Sequence, residues 1–176
     1  KGMVVHSVER DRMKINFTHS NDKLKIKTDK NEKGSNCEFL IKYSGIPEDG
    51  LVIGKNKFNN RTLFGDNWPT RARNWLAVVD HPSDKALVKF NVIAPTHYKC
   101  ISNGKILHVT KIDKEYKSSS YASKHELPTK VMVFGLADFM VDTVSSENSF
   151  PITSWVYEKD KKNGFSDLKV AVDPLN

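Results

Sequence analysis

Apolar and polar residues alternate with a period of two along much of this chain, and that pattern constrains the fold more than any other feature. Cys37, Phe39, Ile41 and Tyr43 alternate with Glu38, Leu40 and Lys42; Leu24 and Ile26 alternate with lysines; Val88, Phe90 and Val92 alternate with Lys89 and Asn91. Successive side chains of a strand point to opposite faces, so each run carries one inward and one solvated face. Turn signals separate the runs at Asn21-Asp22, Asn31-Glu32-Lys33-Gly34, Pro47-Glu48-Asp49-Gly50, Ser102-Asn103-Gly104 and Lys162-Asn163-Gly164. Asn103-Gly104 ahead of Lys105-Ile106-Leu107 predicts a hairpin, because both residues tolerate positive φ. The most apolar run, from Val131 to Phe139, predicts one central strand, with Gly135 as a bulge or close backbone approach. Ser118-Ser119-Ser120 with Tyr121-Ala122-Ser123 reads as loop. Helix is scarce: a short turn is predicted at Pro82-Ser83-Asp84, and a helix from Ser166 toward Val172, interrupted by Pro174. Many strands with regular turns predict an antiparallel all-β sandwich or a related sheet stack.

A length of 176 residues predicts one large domain, long enough to bury a core without disulfide or metal. Apolar residues make up 38% and aromatics 10%, as in a globular protein. No run of about 18 apolar residues occurs, so no membrane-spanning helix is expected. The chain opens on Lys1 with no apolar signal core after it, and reads as trimmed of any targeting segment. Cytoplasmic and exported locations both stay open. Cys37 and Cys100 are compatible with one disulfide or with two buried thiols; the position of Cys37 in an alternating run favours a buried thiol.

The net charge is +7. The lysines are scattered through strand-like alternations such as Lys23-Leu24-Lys25-Ile26-Lys27, where they solvate one face and discourage edge pairing. The block Lys159-Asp160-Lys161-Lys162 is interrupted by acid, and no aromatic-rich RNA-binding signature accompanies it, so nucleic acid is not an expected partner. The six histidines, His6, His19, His81, His97, His108 and His125, lack metal-ligand spacing. No H-E-x-x-H, G-x-S-x-G or phosphate-loop motif occurs. Asp80 beside His81 reads as a turn or capping residue rather than half of a catalytic dyad. No catalytic residue and no metal ligand is assigned.

The segment from Thr62 to Ala86 is too irregular for an ordinary strand. It carries Trp68 and Trp75, Arg71 and Arg73, Pro69 and Pro82, and it closes on Asp80-His81-Pro82. Its Ala72-Arg73, Asp80-x-Pro82 and Lys85-Ala86 resemble, at matching spacing, the amino-terminal β domain of aminopeptidase N-type zinc metallopeptidases, a family with leukotriene-hydrolase-like members. Three other blocks are similar to that domain in the same order: Phe39 to Leu51, with its Tyr43-x-Gly45 and Gly50-Leu51; Phe90 to Gly104, with Pro95 and Ser102-Asn103-Gly104; and Val133 to Phe139.

The resemblance implies a saddle-shaped, mostly antiparallel β-sandwich. By this reading residues 1–165 are the amino-terminal domain, and residues 166–176 start the linker or helix into a catalytic domain not included in the sequence. That domain would be this one's partner and would hold the zinc, whose activated water attacks a peptide carbonyl. Counting back from Asp80-His81-Pro82, the family's Glu or Gln that anchors the substrate's free amine falls at Trp68, and a neighbouring pocket position falls at Asp66. An indole nitrogen only donates hydrogen bonds, so Trp68 has only its face to offer a cation. Asp66 is the preferred carboxylate. The alternative stands beside it: Trp68 and Trp75 as packing anchors and Asp66 as a turn cap. Arg73 is expected to hold the loop by bonding backbone carbonyls or an acid.

The implied function is noncatalytic: helping shape the cleft that receives the free amino terminus of a peptide. The competing classes are a scaffold domain of a relative without its metal site, and an independent ligand-binding sandwich using Trp68, Trp75 and Trp155. The chain alone is expected neither to hydrolyse aminoacyl substrates nor to bind zinc stoichiometrically.

Overall fold

The period-two runs become strands. The computed structural model describes residues 2–28, 36–145 and 151–169. In chain order they form β1 (Met3–Arg10), β2 (Met13–Lys14), β3 (Phe17–Ser20), β4 (Lys23–Ile26), β5 (Phe39–Gly45), β6 (Leu51–Lys55), β7 (Arg61–Gly65), β8 (Lys85–Ala86), β9 (Lys89–Pro95), β10 (Lys99–Ser102), β11 (Lys105–Lys111), β12 (Tyr116–Ala122), β13 (Leu127–Pro128), β14 (Phe134–Ala137), β15 (Phe139–Ser145) and β16 (Ile152–Tyr157). One helix, α1 (Lys161–Leu168), follows. Among the described residues the pairings of β1 with β2 and β5, β3 with β4, β8 with β13, β9 and β11 with β12, β10 and β7 with β14, and β15 with β16 are all antiparallel. The mostly antiparallel β class therefore holds. The turn expected at Asn31 to Gly34, and the chain from Val170 through Pro174 to Asn176, lie outside the described residues.

The described residues divide into two compact units. The first takes those up to Leu51 with Gly65–Ala86 and Glu126–Met132; the second takes Val52–Phe64, Leu87–His125 and those from Val133 onward.

In the first unit β1 runs between β2 and β5, while β3 pairs with β4 and β8 with β13. The β3–β4 hairpin turns on Asn21 and Asp22, both at positive φ (49° and 57°), as their side chains tolerate. Leu24 and Ile26 are the less exposed residues of β4, alternating with exposed lysines. Val8, Ala72, Trp75 and Met132 are buried.

In the second unit β9, β12 and β11 form one sheet, β10, β14, β7 and β6 another, and β15 pairs with β16. Its core gathers Ala94, Cys100, Tyr121 and Leu136, with Leu63, Val92, Tyr98 and Phe134 packed on it. The Tyr121 hydroxyl donates to the Cys100 carbonyl at 2.7 Å, so this buried polar group is satisfied. Phe139 stacks on Tyr157 and meets Phe64 and Trp155 edge-on.

Several expectations are corrected. Asn103-Gly104 is a turn, with Gly104 at φ +82°, where a Cβ would collide with the Ala122 carbonyl. It does not close a hairpin: β10 pairs with β14, and β11 with β12. The Asn103 carboxamide oxygen instead accepts the Val133 N–H at 2.7 Å, and the Ser102 hydroxyl donates to the Val133 carbonyl at 2.8 Å. Those bonds take Val133 out of any ladder, so the apolar run from Val131 is not one strand. It divides into a 3-10 turn (Thr129–Val131), β14 and β15, with a bend at Asp138. Gly135 does mark a close approach, since a Cβ there would sit 3.2 Å from Ile101 and 3.3 Å from Phe64. The serine run Ser118 to Ser120 is strand, the middle of its sheet, because β9 and β11 take its backbone bonds on both sides. Pro82 to Asp84 is a turn without helix, in which the Ser83 N–H donates to His81 Nδ1 at 3.2 Å. Lys162-Asn163-Gly164 lies inside α1, which begins before Ser166. Gly164 serves packing there, as a Cβ would come within 2.8 Å of Val156.

Cys37 is exposed, against expectation, because it precedes the first residue of β5. Cys100 is a buried thiol, and burial pushes it up to about 11, with Lys117 opposing. At pH 8 its thiolate fraction is about 10⁻³, roughly a hundredfold below that of an unburied thiol, so alkylation of Cys100 in the native chain should be slow and speed up about tenfold per pH unit. Peptide mapping after timed iodoacetamide treatment checks this; equal labelling of native and urea-unfolded chain at Cys100 would refute it. Burial of this thiol also makes the stability of the fold depend on pH. The unfolded thiol loses its proton first, so stability is full below pH 9.0 and declines as pH rises toward 11.

Candidate functional site

The irregular segment after β7 is held by one buried carboxamide. Asn67 is 1% exposed. Its Nδ2 donates to the carbonyls of Thr129 (3.0 Å) and Met132 (2.8 Å), and its Oδ1 accepts the indole N–H of Trp75 at 2.8 Å. Its own carbonyl accepts the Arg71 N–H at 2.9 Å. Each polar atom of the side chain is thus engaged, which gives a buried amide a single orientation.

A second anchor repeats the arrangement thirteen residues on, at Asp80. The Asp80 side chain is 2% exposed. One of its oxygens accepts the Thr129 hydroxyl at 2.6 Å; the other accepts the Arg73 N–H at 3.2 Å and Nε at 3.3 Å. Arg73 also donates to the Asp80 carbonyl at 2.9 Å. Asp80 therefore has a turn-organising role, and Arg73 holds the loop by an acid and a carbonyl, as its sequence context predicts. The loop is fastened at both ends to residues 129–132.

On that base sit the two residues singled out from sequence. Asp66 is exposed, and its carboxylate accepts Arg71 Nη1 at 2.7 Å. Arg71 Nε lies 3.6 Å from the Asp49 carboxylate, so two acids share one guanidinium and the cluster keeps a formal charge of −1. Trp68 is 60% exposed, and Lys130 Nζ lies 4.5 Å over its ring. Its face already carries a cation of the same chain. Trp75, in contrast, is 8% exposed and is a packing anchor. Sequence reasoning missed Asn67, Asp49 and Lys130. Their partners lie far along the chain or across a turn, so no local spacing announces them.

A separate groove of about 850 Å³ opens on the same unit, with Val5, Ile41, Tyr43 and Leu24 among its walls; neither Asp66 nor Trp68 lines it. Burial pushes the Tyr43 hydroxyl up, opposed by a bond from the Ala77 backbone. Among the described residues no three His, Cys, Asp or Glu side chains come together to hold a metal ion. The donors present thus do not fit a zinc site, and no step through zinc is assigned to them. Among the described residues no helix is long and apolar enough to cross a membrane.

These features define a mostly antiparallel β domain in which the irregular loop after β7 is locked by buried polar anchors and presents an acid, a guanidinium and an indole. The family model described as the peptidase M1 N-terminal domain matches residues 2–131, and the chain belongs to that family. Glutamyl aminopeptidase of Sus scrofa is 26% identical over 96 residues, covering 54% of this chain and 10% of the relative. Probable aminopeptidase 1 of Sulfurisphaera tokodaii is 24% identical over 153 residues, 85% of this chain and 18% of the relative. The chain thus spans under a fifth of the length of these curated relatives. Among solved structures, an M1 zinc metallopeptidase of Deinococcus radiodurans superposes with a TM-score of 0.73 at 18% identity, covering 88% of this chain and 37% of that one. Leukotriene A4 hydrolase of Saccharomyces cerevisiae gives 0.76 at 15% identity, covering 98% and 27%. At such identities the two structures establish the shared fold.

Proposed function

We propose that this domain forms part of the wall of a peptide cleft in a zinc-dependent aminopeptidase, where Asp66 faces the free amino terminus of the substrate. The observation that carries the reading is an exposed carboxylate at the end of a loop made rigid by Asn67 and Asp80. An ionised carboxylate has lone pairs for more than one donor, so Asp66 keeps acceptor capacity beyond its bond to Arg71. The residual negative charge of the Asp49–Arg71–Asp66 cluster favours an ammonium. Trp68 is a wall beside that seat rather than the seat, because Lys130 covers its face. Zinc and the chemistry belong to another domain in this reading; this one positions.

In the whole enzyme Asp66→Ala should raise KM for free-amine substrates about tenfold, the worth of a charge-assisted hydrogen bond at a partly exposed site, and leave kcat within about twofold. Steady-state kinetics with an aminoacyl anilide reads both constants. An unchanged KM removes Asp66 from the site.

The scaffold reading makes the opposite prediction for the same protein, namely no turnover and no H-E-x-x-H in the remainder of its sequence. The independent ligand-binding sandwich loses most of its aromatic surface here. Trp75 is buried, and Trp155 is half-buried against Phe139 with its N–H given to the Thr153 hydroxyl at 3.0 Å.

A further inference from the structure

The second unit gathers lysines at one end of the β9–β12–β11 sheet. A concavity of about 350 Å³ opens beside the β11–β12 turn, lined by Thr96, Val109, Lys111, Lys114 and Lys117. Lys111 and Lys117 stand directly opposite each other on neighbouring strands. Like charges so placed weaken a strand pair rather than strengthen it. A fourth lysine bears on them: the Lys117 ammonium is held below its ordinary value, first by burial and then by the charge of Lys99.

No acid among the described residues forms an ion pair with these lysines. The acids of the turn are Asp113 and Glu115, and neither lines the concavity. The Asp113 carboxylate accepts the N–H groups of Glu115 (2.7 Å) and Tyr116 (2.8 Å) and so shapes the turn. The Glu115 carbonyl accepts the Thr96 N–H at 2.8 Å, which fixes the end of β9 against the same turn. Other cations of the chain do have acids, such as Lys57 with Asp160 at 2.8 Å and Arg71 with Asp66 at 2.7 Å. Among the described residues, Lys99, Lys111, Lys114 and Lys117 are in no ion pair.

We propose that this concavity binds a phosphate-bearing anion. Three lysines and a threonine lining one concavity, with no carboxylate in that lining, match a multiply charged oxyanion. A single carboxylate would neutralise only one of the three lining charges. The volume admits a phosphoryl group with part of its carrier. A soluble phosphate ester and a phosphorylated lipid headgroup share this chemistry. The inference does not depend on the peptidase reading.

The test is an NMR titration of the ¹⁵N-labelled 176-residue chain with inorganic pyrophosphate in a phosphate-free buffer. The expected result is saturable binding, with amide shifts clustered at Thr96, Val109 and residues 111–117. The double variant Lys111→Ala/Lys117→Ala should weaken it about tenfold, from loss of two charges near the ligand. Lys23→Ala/Lys25→Ala removes the same charge from β4 and should change affinity less than about twofold. If the first double variant loses its dispersed amide spectrum, Lys111→Gln alone, at an exposed position, supplies the reading. A second arm compares phosphatidylcholine vesicles with and without phosphatidylinositol phosphate. Tighter binding to the phosphorylated vesicles assigns the lipid headgroup; binding of pyrophosphate without vesicle binding assigns a soluble ligand. Shifts scattered over all surface lysines, equal loss in both double variants, or no saturation at millimolar pyrophosphate would overturn the proposal.

Discussion

Replacing Asn67 with alanine is expected to cost about 3 kcal/mol of unfolding free energy, at roughly 1 kcal/mol for each of three buried hydrogen bonds. The change strands the carbonyls of Thr129 and Met132 and the indole N–H of Trp75 in a region where Asn67, Thr129 and Trp75 are all buried. Urea unfolding followed by tryptophan fluorescence should show a lower midpoint at unchanged slope. Asn67→Asp should be worse than alanine. It keeps an acceptor for Trp75 but sets a charged, acceptor-only oxygen against two carbonyls. A loss below about 1 kcal/mol for Asn67→Ala, a third of the value expected from the three bonds, would show that the carboxamide is not the hub of the loop. On the proposed reading of Asp66, the same variant should also raise KM for peptide substrates in the parent protein, since Asp66 precedes the anchor by one residue.

Gly50→Ala should be comparably damaging, at about 2–4 kcal/mol. Gly50 holds φ +80°, its added Cβ would collide with the Arg71 carbonyl, and it would sit 3.0 Å from the Trp75 ring. Its neighbours cannot yield easily, because the Gly50 carbonyl accepts the Asp66 N–H at 2.8 Å and its N–H donates to the Asp49 carboxylate at 2.8 Å. The damage therefore reaches the acid pair that flanks Arg71. Gly54→Ala is the matched comparison: no atom lies within 4 Å of its added Cβ and its φ is not positive. That variant should shift stability by less than about 0.5 kcal/mol. Equal losses at the two glycines would mean that the Gly50 effect is not the contact described.

Much of the fold was legible. Leu24 and Ile26, and Phe90 and Val92, face inward as their alternation predicts. Asn21-Asp22 makes the turn that its residue types favour. The departures share one cause. Ser118 to Ser120 resemble loop because serine competes locally for backbone bonds, yet two flanking strands outbid that preference. The run from Val131 resembles one strand because it is apolar, yet Ser102 and Asn103, thirty residues away, occupy the backbone of Val133. At the candidate site, Arg73 and Asp80 were readable because they are seven residues apart in one loop. Asn67 was not, because its acceptors lie 62 and 65 residues away.

By itself the sequence determined which stretches expose one apolar face, where the chain turns, and that no metal-binding motif runs along it. Side-chain period and the φ tolerance of Asn, Asp and Gly are local properties, so they survive in a linear string. Tertiary structure alone decided which strands became neighbours, that Asp66 shares Arg71 with Asp49, and that Lys99 of one sheet bears on Lys117 of another beside Lys111 and Lys114. Those outcomes depend on hydrogen bonds and charges brought together across long stretches of chain, and no pattern of spacing within a segment encodes them.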